Sequence, residues 1–316
     1  MNTDPSKSIS EKESYKRKKR FFTALDLMAL PGIIYLIINN YIPMGGLFIA
    51  FKKIDFAKGI FASDWVGFQN FKFLFRSSDA AVILRNTLLY NLAFIVLNCV
   101  CGIAVGLFLN EIRNKLAKKF YQTAILLPQL ISIIIVAYIT YGFLASETGF
   151  VNNHILKAMG KAAVNFYSKP AYWPFFLIFI HIWKTIGYNS IIYFSSIISV
   201  DKSLYESAEI DGANRFQQIT KITLPLIKPI AITLTLMACG RIFYSDFGLF
   251  YQVPMNSGPL YATTNTIDTY VYRALLQLND IGMSSAAGFF QSIVGFCLIM
   301  IVNGIVRKIS PENALY

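Results

Sequence analysis

Charge is the first thing this sequence is short of. Of its 316 residues, 15% are Asp, Glu, Lys or Arg, against about a quarter in ordinary soluble domains. A disordered chain is excluded, because disorder needs high charge and low hydrophobicity, and a soluble enzyme fits poorly. Histidine is equally scarce, with His154 and His181 far apart in the chain. Neither H-E-x-x-H nor G-x-S-x-G occurs, so no zinc-protease or serine-hydrolase constellation is at hand. Cys99, Cys101, Cys239 and Cys297 all lie in apolar stretches without metal-ligand spacing and read as small buried hydrophobes. A phosphate-cradling G-x-x-x-x-G-K-[ST] loop is also missing, since Gly160-Lys161 is followed by Ala162, which offers no hydroxyl to magnesium. The chain is expected to hydrolyse no ATP, to hold no metal and to catalyse nothing itself.

What is present is apolar. Hydrophobic residues make up 55% and aromatics 15%, with 27 Phe and 18 Tyr. Spanning a bilayer takes about 20 mostly apolar residues per helix, and six stretches qualify: Leu25–Phe51, Thr87–Asn110, Tyr121–Leu144, Tyr172–Ile198, Leu224–Phe250 and Ala286–Val306. Pro128 and Gln129 predict a kink in the third. The expected fold is an all-α integral membrane protein of six transmembrane helices, a polar tail at 1–20 preceding a six-span domain at 21–316. The net charge of +12 could mark nucleic-acid binding, but the basic residues flank the apolar runs, and no nucleic-acid partner is expected. With both termini cytoplasmic, the inner segments hold 17 of the 29 Lys and Arg and the outer ones 10, the sense of the positive-inside bias.

The most informative stretch is the inner loop 199–225. It reads Asp201-Lys202-Ser203-Leu204-Tyr205-Glu206-Ser207-Ala208-Glu209-Ile210-Asp211-Gly212-Ala213 and runs on to Leu224-Pro225. Ser203 and Glu206 have capping-box spacing, so a short helix is predicted to begin there. Leu204, Ala208 and Ile210 give it an apolar side; Glu206, Glu209 and Asp211 give it an acidic one. Gly212 should end or bend it, and Pro225 suits the first turn of the next span. An apolar face in the cytoplasm needs a cover, and acidic residues suit an anionic lipid surface badly. A docking helix for a cytoplasmic partner is the functional expectation.

At this loop the sequence resembles a known family. Glu206-Ser207-Ala208-x-x-Asp211-Gly212-Ala213, followed by Ile222-Thr223-Leu224-Pro225, is similar to the EAA loop of binding-protein-dependent ABC import permeases, with Ser207 in place of the usual Ala. Farther out, Asn40-Tyr41-Ile42-Pro43-Met44-Gly45-Gly46 and Trp65-Val66-Gly67-Phe68-x-Asn70-Phe71 resemble polysaccharide/oligosaccharide-type sugar permeases of the maltose-permease superfamily. The resemblance implies the type I ABC importer transmembrane architecture in a bacterial plasma membrane. It implies a second homologous permease, two ATP-binding-cassette subunits or one homodimer of them carrying ATP and Mg, an extracellular solute-binding protein and a sugar. It also implies that the loop is a coupling helix seated in a cleft of the ATPase, with Glu206 pairing to a basic residue there, Ala208 and Gly212 permitting close approach, and Asp211 holding the turn.

A sugar path needs hydrogen-bonding groups and aromatic faces inside the spans. Arg241, Tyr244, Ser245 and Asp246 group in span five, Asn91 and Asn98 lie in span two, and His181, Trp183, Lys184, Tyr188 and Asn189 in span four. Intramembrane ionisable groups are functional candidates by default, yet interhelical hydrogen bonding accounts for many polar residues in spans. Arg241, Tyr244, Asp246, Asn98 and Tyr188 are the candidate path residues; a charge pair that merely fixes packing is the plainer alternative for Arg241 and Asp246. An ion-coupled secondary transporter is the rival reading. It calls for intramembrane carboxylates, of which Asp246 and Glu111 are the main candidates, and for discontinuous helices, but for no ATPase-docking loop.

Overall fold

The computed structural model describes residues 24–72, 79–309, 311 and 314; the tail at 1–20 lies outside them. The chain divides into two compact units, Met1–Phe48 and Ile49–Tyr316. In the first, α1 (Ala24–Leu36) carries Pro31 and passes into a π-turn at Ile37–Tyr41. Asn39 donates to the Tyr35 carbonyl at 3.0 Å, so one of the two asparagines in this apolar run is satisfied locally. The helical run Asp26–Phe51 is long and apolar enough to span a bilayer, and Leu27, Met28, Ile33 and Tyr35 are exposed along it, as side chains facing lipid would be.

The second unit opens with a departure from the all-α expectation. An antiparallel ribbon, β1 (Lys52–Lys53) and β2 (Asp64–Trp65), pairs Lys52 with Trp65 and Lys53 with Asp64. Beside it Phe51, Phe68, Phe71 and Phe289 interlock, three of the pairs edge to face and two tilted, with centroids 5.2–5.9 Å apart. α2 (Ala80–Glu111) follows, then α3 (Lys115–Leu130), α4 (Ile133–Leu144) and α5 (Trp173–Ile198). α2 and α5 form the spine. Their backbones touch because Gly106 has no Cβ: one built there would lie 3.1 Å from the Phe194 nitrogen and 3.2 Å from the Ser190 oxygen. Small residues allow this close approach where lipid supplies no hydrophobic drive between helices. Tyr90, Phe94, Val136, Trp173, Leu177, Leu249 and Phe250 fill the adjoining core, and the Trp173 indole donates to the Phe166 carbonyl at 2.8 Å.

Next come α6 (Lys202–Ile210), α7 (Arg215–Gln218), α8 (Leu224–Cys239), α9 (Phe247–Gln252), α10 (Ile267–Leu278) and α11 (Ile281–Ile309). Five described helical runs are long and apolar enough to cross a membrane, and a bent pair brings the number to six. The expected six are reached if that bent pair counts as one span, and several of the expected boundaries shift. The third span is two helices, α3 and α4, at 92° to one another. Pro128 removes a helical donor, and Ser132 is extended at φ −57°, ψ 141°, so the predicted kink is a break. The fifth span ends at Cys239, not Phe250. Gly240 caps α8, and a non-helical stretch runs to Asp246 before α9 begins. Spans two and six also start earlier than expected, at Ala80 and Ile281, because Asp79 and Asp280 precede runs that stay apolar.

Candidate functional site

Two places gather the residues singled out in the sequence. The first is the loop at 199–225. Its helix begins two residues earlier than the Ser203–Glu206 spacing suggested: Asp201 is the N-cap and accepts from the Ser203 N–H at 2.9 Å. That N–H, together with the Ser203 hydroxyl, holds the Asp201 carboxyl below the usual carboxylate range. A capping box does occur one helix later, where Asn214 and Gln217 bond reciprocally at the start of α7. Gly212 ends α6 as expected. It sits at φ +78°, its N–H donates to Glu209 and that of Ala213 to Ala208 at 2.8 Å, which is a Schellman closure. Asp211 supplies the C-cap backbone at φ −74°, ψ 1°.

The apolar residues of this region face outward. Ile210 is 87% exposed and Phe216 74%, flanking the Gly212 turn, and Leu204 is exposed one and a half turns back along α6. Glu206, Ser207 and Asp211 are exposed too, while Ala208 and Ala213 are half-buried. Behind α6, Glu206 and Glu209 border a cleft with Lys118 of α3 and Glu111 of α2, and Arg215 pairs with Glu209 at 3.8 Å. Tyr205 and Thr223 hydroxyls bond at 2.8 Å and tie α6 to the start of α8. Phe216 was not among the predicted residues; an exposed aromatic between two caps is the signal that would have marked it.

The second place is a cavity of about 630 Å³ at the break in the fifth span. Non-helical backbone at membrane depth needs every polar group satisfied by neighbours, and here side chains do it. Asn91 of α2 donates to the Ile242 and Tyr244 carbonyls at 2.9 and 3.0 Å. Gln291 of α11 donates to the Phe243 carbonyl at 2.8 Å. The Asp268 carboxylate of α10 accepts both the N–H and the hydroxyl of Ser245 at 2.7 Å. Asp246 then caps α9, accepting from the Leu249 N–H at 3.1 Å.

The break turns Arg241, Tyr244 and Asp246 to the cavity, and the opposite wall brings Asn98 of α2 with His181 and Asn189 of α5. Of the five candidate path residues it thus collects four. Tyr188 does not line it and is 59% exposed elsewhere on α5. Arg241 and Asp246 form no ion pair; the two among the described residues are Lys58–Asp64 and Arg215–Glu209. The packing-pair alternative for them is therefore set aside. His181 lies 3.6 Å from Phe94, stacked, and its Nε2 is 3.2 Å from the Asn98 amide, whose oxygen accepts from Thr185 at 2.8 Å. Ring, amide and hydroxyl are thus bonded into one polar cluster, of which Asn98 and His181 reach the cavity. Gln291 and Asp268 escaped the sequence reading of this site, and Asn91 was noted there only as a polar residue of span two; each is aimed at backbone from a neighbouring helix, a role invisible until the break is known.

Apolar spans, a capped helix pair at one end and a polar cavity at a broken span define a membrane translocation protein. The chain belongs to the binding-protein-dependent transport system inner membrane component family, whose model matches residues 98–311. It is 35% identical over 293 residues to the polygalacturonan/rhamnogalacturonan transport system permease protein YteP of Bacillus subtilis (strain 168), covering 92% of this chain and 89% of that one. Among solved structures it is similar to a bacterial ABC transporter involved in the import of the acidic polysaccharide alginate, at TM-score 0.82 and 36% identity over 90% of this chain and 96% of that one. It is likewise similar to a bacterial alginate ABC transporter in complex with an alginate pentasaccharide-bound periplasmic protein, at TM-score 0.81 and 35% identity over 90% and 94%.

Proposed function

We propose that this chain is the translocation subunit of an ATP-driven importer for an oligosaccharide bearing carboxylates, resident in a bacterial plasma membrane with both termini cytoplasmic. The observation that carries the reading is the cavity at the broken fifth span, which joins Arg241 to amide, hydroxyl and aromatic groups in an otherwise apolar chain. The acidic polysaccharides named for its relatives support the charge of the cargo. The chain works with a second, related permease and two ATP-binding subunits, which carry ATP and Mg. An extracellular solute-binding protein delivers the sugar, as the bound periplasmic protein of a similar transporter supports. α6 and α7 are the docking element: Glu206 meets a basic residue of the ATPase, and Ile210 and Phe216 enter its cleft. ATP binding draws the docking helices of the two permeases together and opens the path outward; hydrolysis resets it. The test is co-purification from native membranes in mild detergent, then uptake of alginate and galacturonate pentasaccharides by the reconstituted assembly. Recovery of an ATPase and a second permease with ATP-dependent uptake of either sugar is expected. Recovery of the chain alone, from membranes shown to keep other assemblies intact, would sink the proposal.

A further inference from the structure

Two broken spans meet in this protein, and a single amine holds one of the breaks. At the end of α3 the last turn runs out of intrahelical donors and lipid supplies none; only a long bond from the Ile131 N–H reaches the Pro128 carbonyl, at 3.3 Å. Nζ of Lys184, on α5, donates to the carbonyls of Pro128 and Gln129 at 3.2 Å each and to that of Ile131. An ammonium has three donors and no acceptor, so this one break uses its full capacity, and the charge sits at the negative end of the α3 dipole. Gly187, one turn along the same face of α5, lets α3 lie there: a Cβ would stand 1.9 Å from the Ile125 oxygen. Beyond the break, the first residue of α4, Ile133, occupies the space left by Gly248 of α9, where a Cβ would come 2.8 Å from Ile133 Cγ2. Gly248 follows Asp246 by two residues, in the first turn of α9. The contacts are therefore continuous from Lys184 through the α3–α4 break and α4 to the break that frames the cavity.

We infer that Lys184 is a positioning residue for the transport path. It lines no part of the cavity. By fixing the α3–α4 break it fixes the seat of α9, and with it Asp246 and the 240–246 segment that presents Arg241 and Tyr244. α5 also continues through Ser199 and Val200 into α6, so the same amine ties the break to the helix that leads to the docking loop. The inference rests on the cavity being the sugar path.

The test uses the complete importer in proteoliposomes and reads pentasaccharide imported per ATP hydrolysed, with alginate and galacturonate pentasaccharides as probes. Lys184→Met keeps the length and removes the donors; it is expected to lower that ratio about tenfold, which is about 1.4 kcal/mol of coupling, while ATP hydrolysis persists. Lys184→Arg, which still donates, should recover to within about twofold of wild type. A residue needed only for folding would lower the amount of assembled complex and leave the ratio alone. An unchanged ratio in Lys184→Met, or an equal fall in the Met and Arg variants, overturns the inference. Should Lys184→Met fail to assemble, Lys184→Gln is read the same way: a fall supports the role and a wild-type ratio overturns it. A wild-type complex that imports neither sugar overturns the functional reading, and the role given to Lys184 goes with it.

Discussion

Asn91 shows how much one side chain holds at the broken span. Its amide nitrogen donates to the carbonyls of Thr87, Ile242 and Tyr244, and two of those have no helical partner. Asn91→Leu fits the space roughly and removes the donors. An unsatisfied buried polar group costs about 1–3 kcal/mol, so a fall in the unfolding midpoint in detergent is expected, and a midpoint equal to wild type would show that the segment finds other donors. Arg241 is a different case, since no acidic side chain pairs with it and it faces open space. Its value lies in the cargo. Arg241→Gln should weaken uptake of an acidic pentasaccharide about tenfold, the worth of about 1.4 kcal/mol, and that of a neutral maltopentaose far less; equal losses for both sugars would remove the charge from the argument. The sequence alone reached Arg241, Tyr244 and Asp246, because ionisable groups in an apolar run stand out. It placed them on one continuous helix, and so missed that Asp246 is an N-cap and that Gly240 marks the end of α8. The signal was there in retrospect, an Asp three residues before Leu249 with a glycine upstream, but mean hydropathy over a long window averages such local punctuation away.

Among the elements, α6 was the most legible and its start the least. Its end followed from Gly212, because only glycine takes φ +78° without strain. Its beginning did not follow from Ser203, because Asp201 stands two residues earlier as an equally good N-cap and takes the Ser203 N–H. That cap has a pH consequence. The Asp201 carboxyl is held below its unfolded value by the Ser203 N–H and hydroxyl, so the helix-stabilising contribution is present above the unfolded carboxylate range and is lost as pH falls through the folded value. ATP-coupled uptake should decline in that acid window more steeply in wild type than in Asp201→Asn, which caps without titrating; parallel declines would remove Asp201 as the cause. Above that window, Glu206→Ala and Gly212→Pro should each uncouple ATP hydrolysis from uptake. Glu206→Ala loses the charge offered to the ATPase. Gly212→Pro breaks the Schellman closure, since proline cannot adopt the positive φ and has no N–H to give to Glu209. Hydrolysis that stays coupled in both variants would mean that α6 is not the docking helix. The third span illustrates the opposite limit. Pro128 foretold a bend, but not its size, 92°, nor that Lys184 arrives from another helix to bond the carbonyls at the break, and no local pattern contains that.

For the whole molecule, the spans were legible because apolar length is the strongest signal a membrane chain carries, and the family entered through one loop, 199–225. The discontinuous helices add a lesson about discrimination. They were the expected mark of an ion-driven transporter, yet here they coexist with the docking loop, so a broken span alone does not separate the two transport classes. What both share is the need to turn backbone and polar side chains towards a solute at membrane depth. Orientation is the property on which the docking assignment depends, because α6 can meet an ATPase only from the cytoplasm. The positive-inside count gives 17 basic residues within against 10 without, a bias weakened by the six on the first outer segment. Two exposed positions on opposite sides decide the matter: Ile210 beside the Gly212 turn and Met159 at the turn between α4 and α5, exposed 87% and 59%. In a background with the four native cysteines replaced and the chain expressed without its ATP-binding subunits, Ile210→Cys should react with a membrane-impermeant maleimide only in inverted vesicles, and Met159→Cys only in intact cells. The reverse pattern would put α6 outside, where no ATP-binding subunit can reach it, and would leave Ile210 and Phe216 as a surface for the extracellular partner instead.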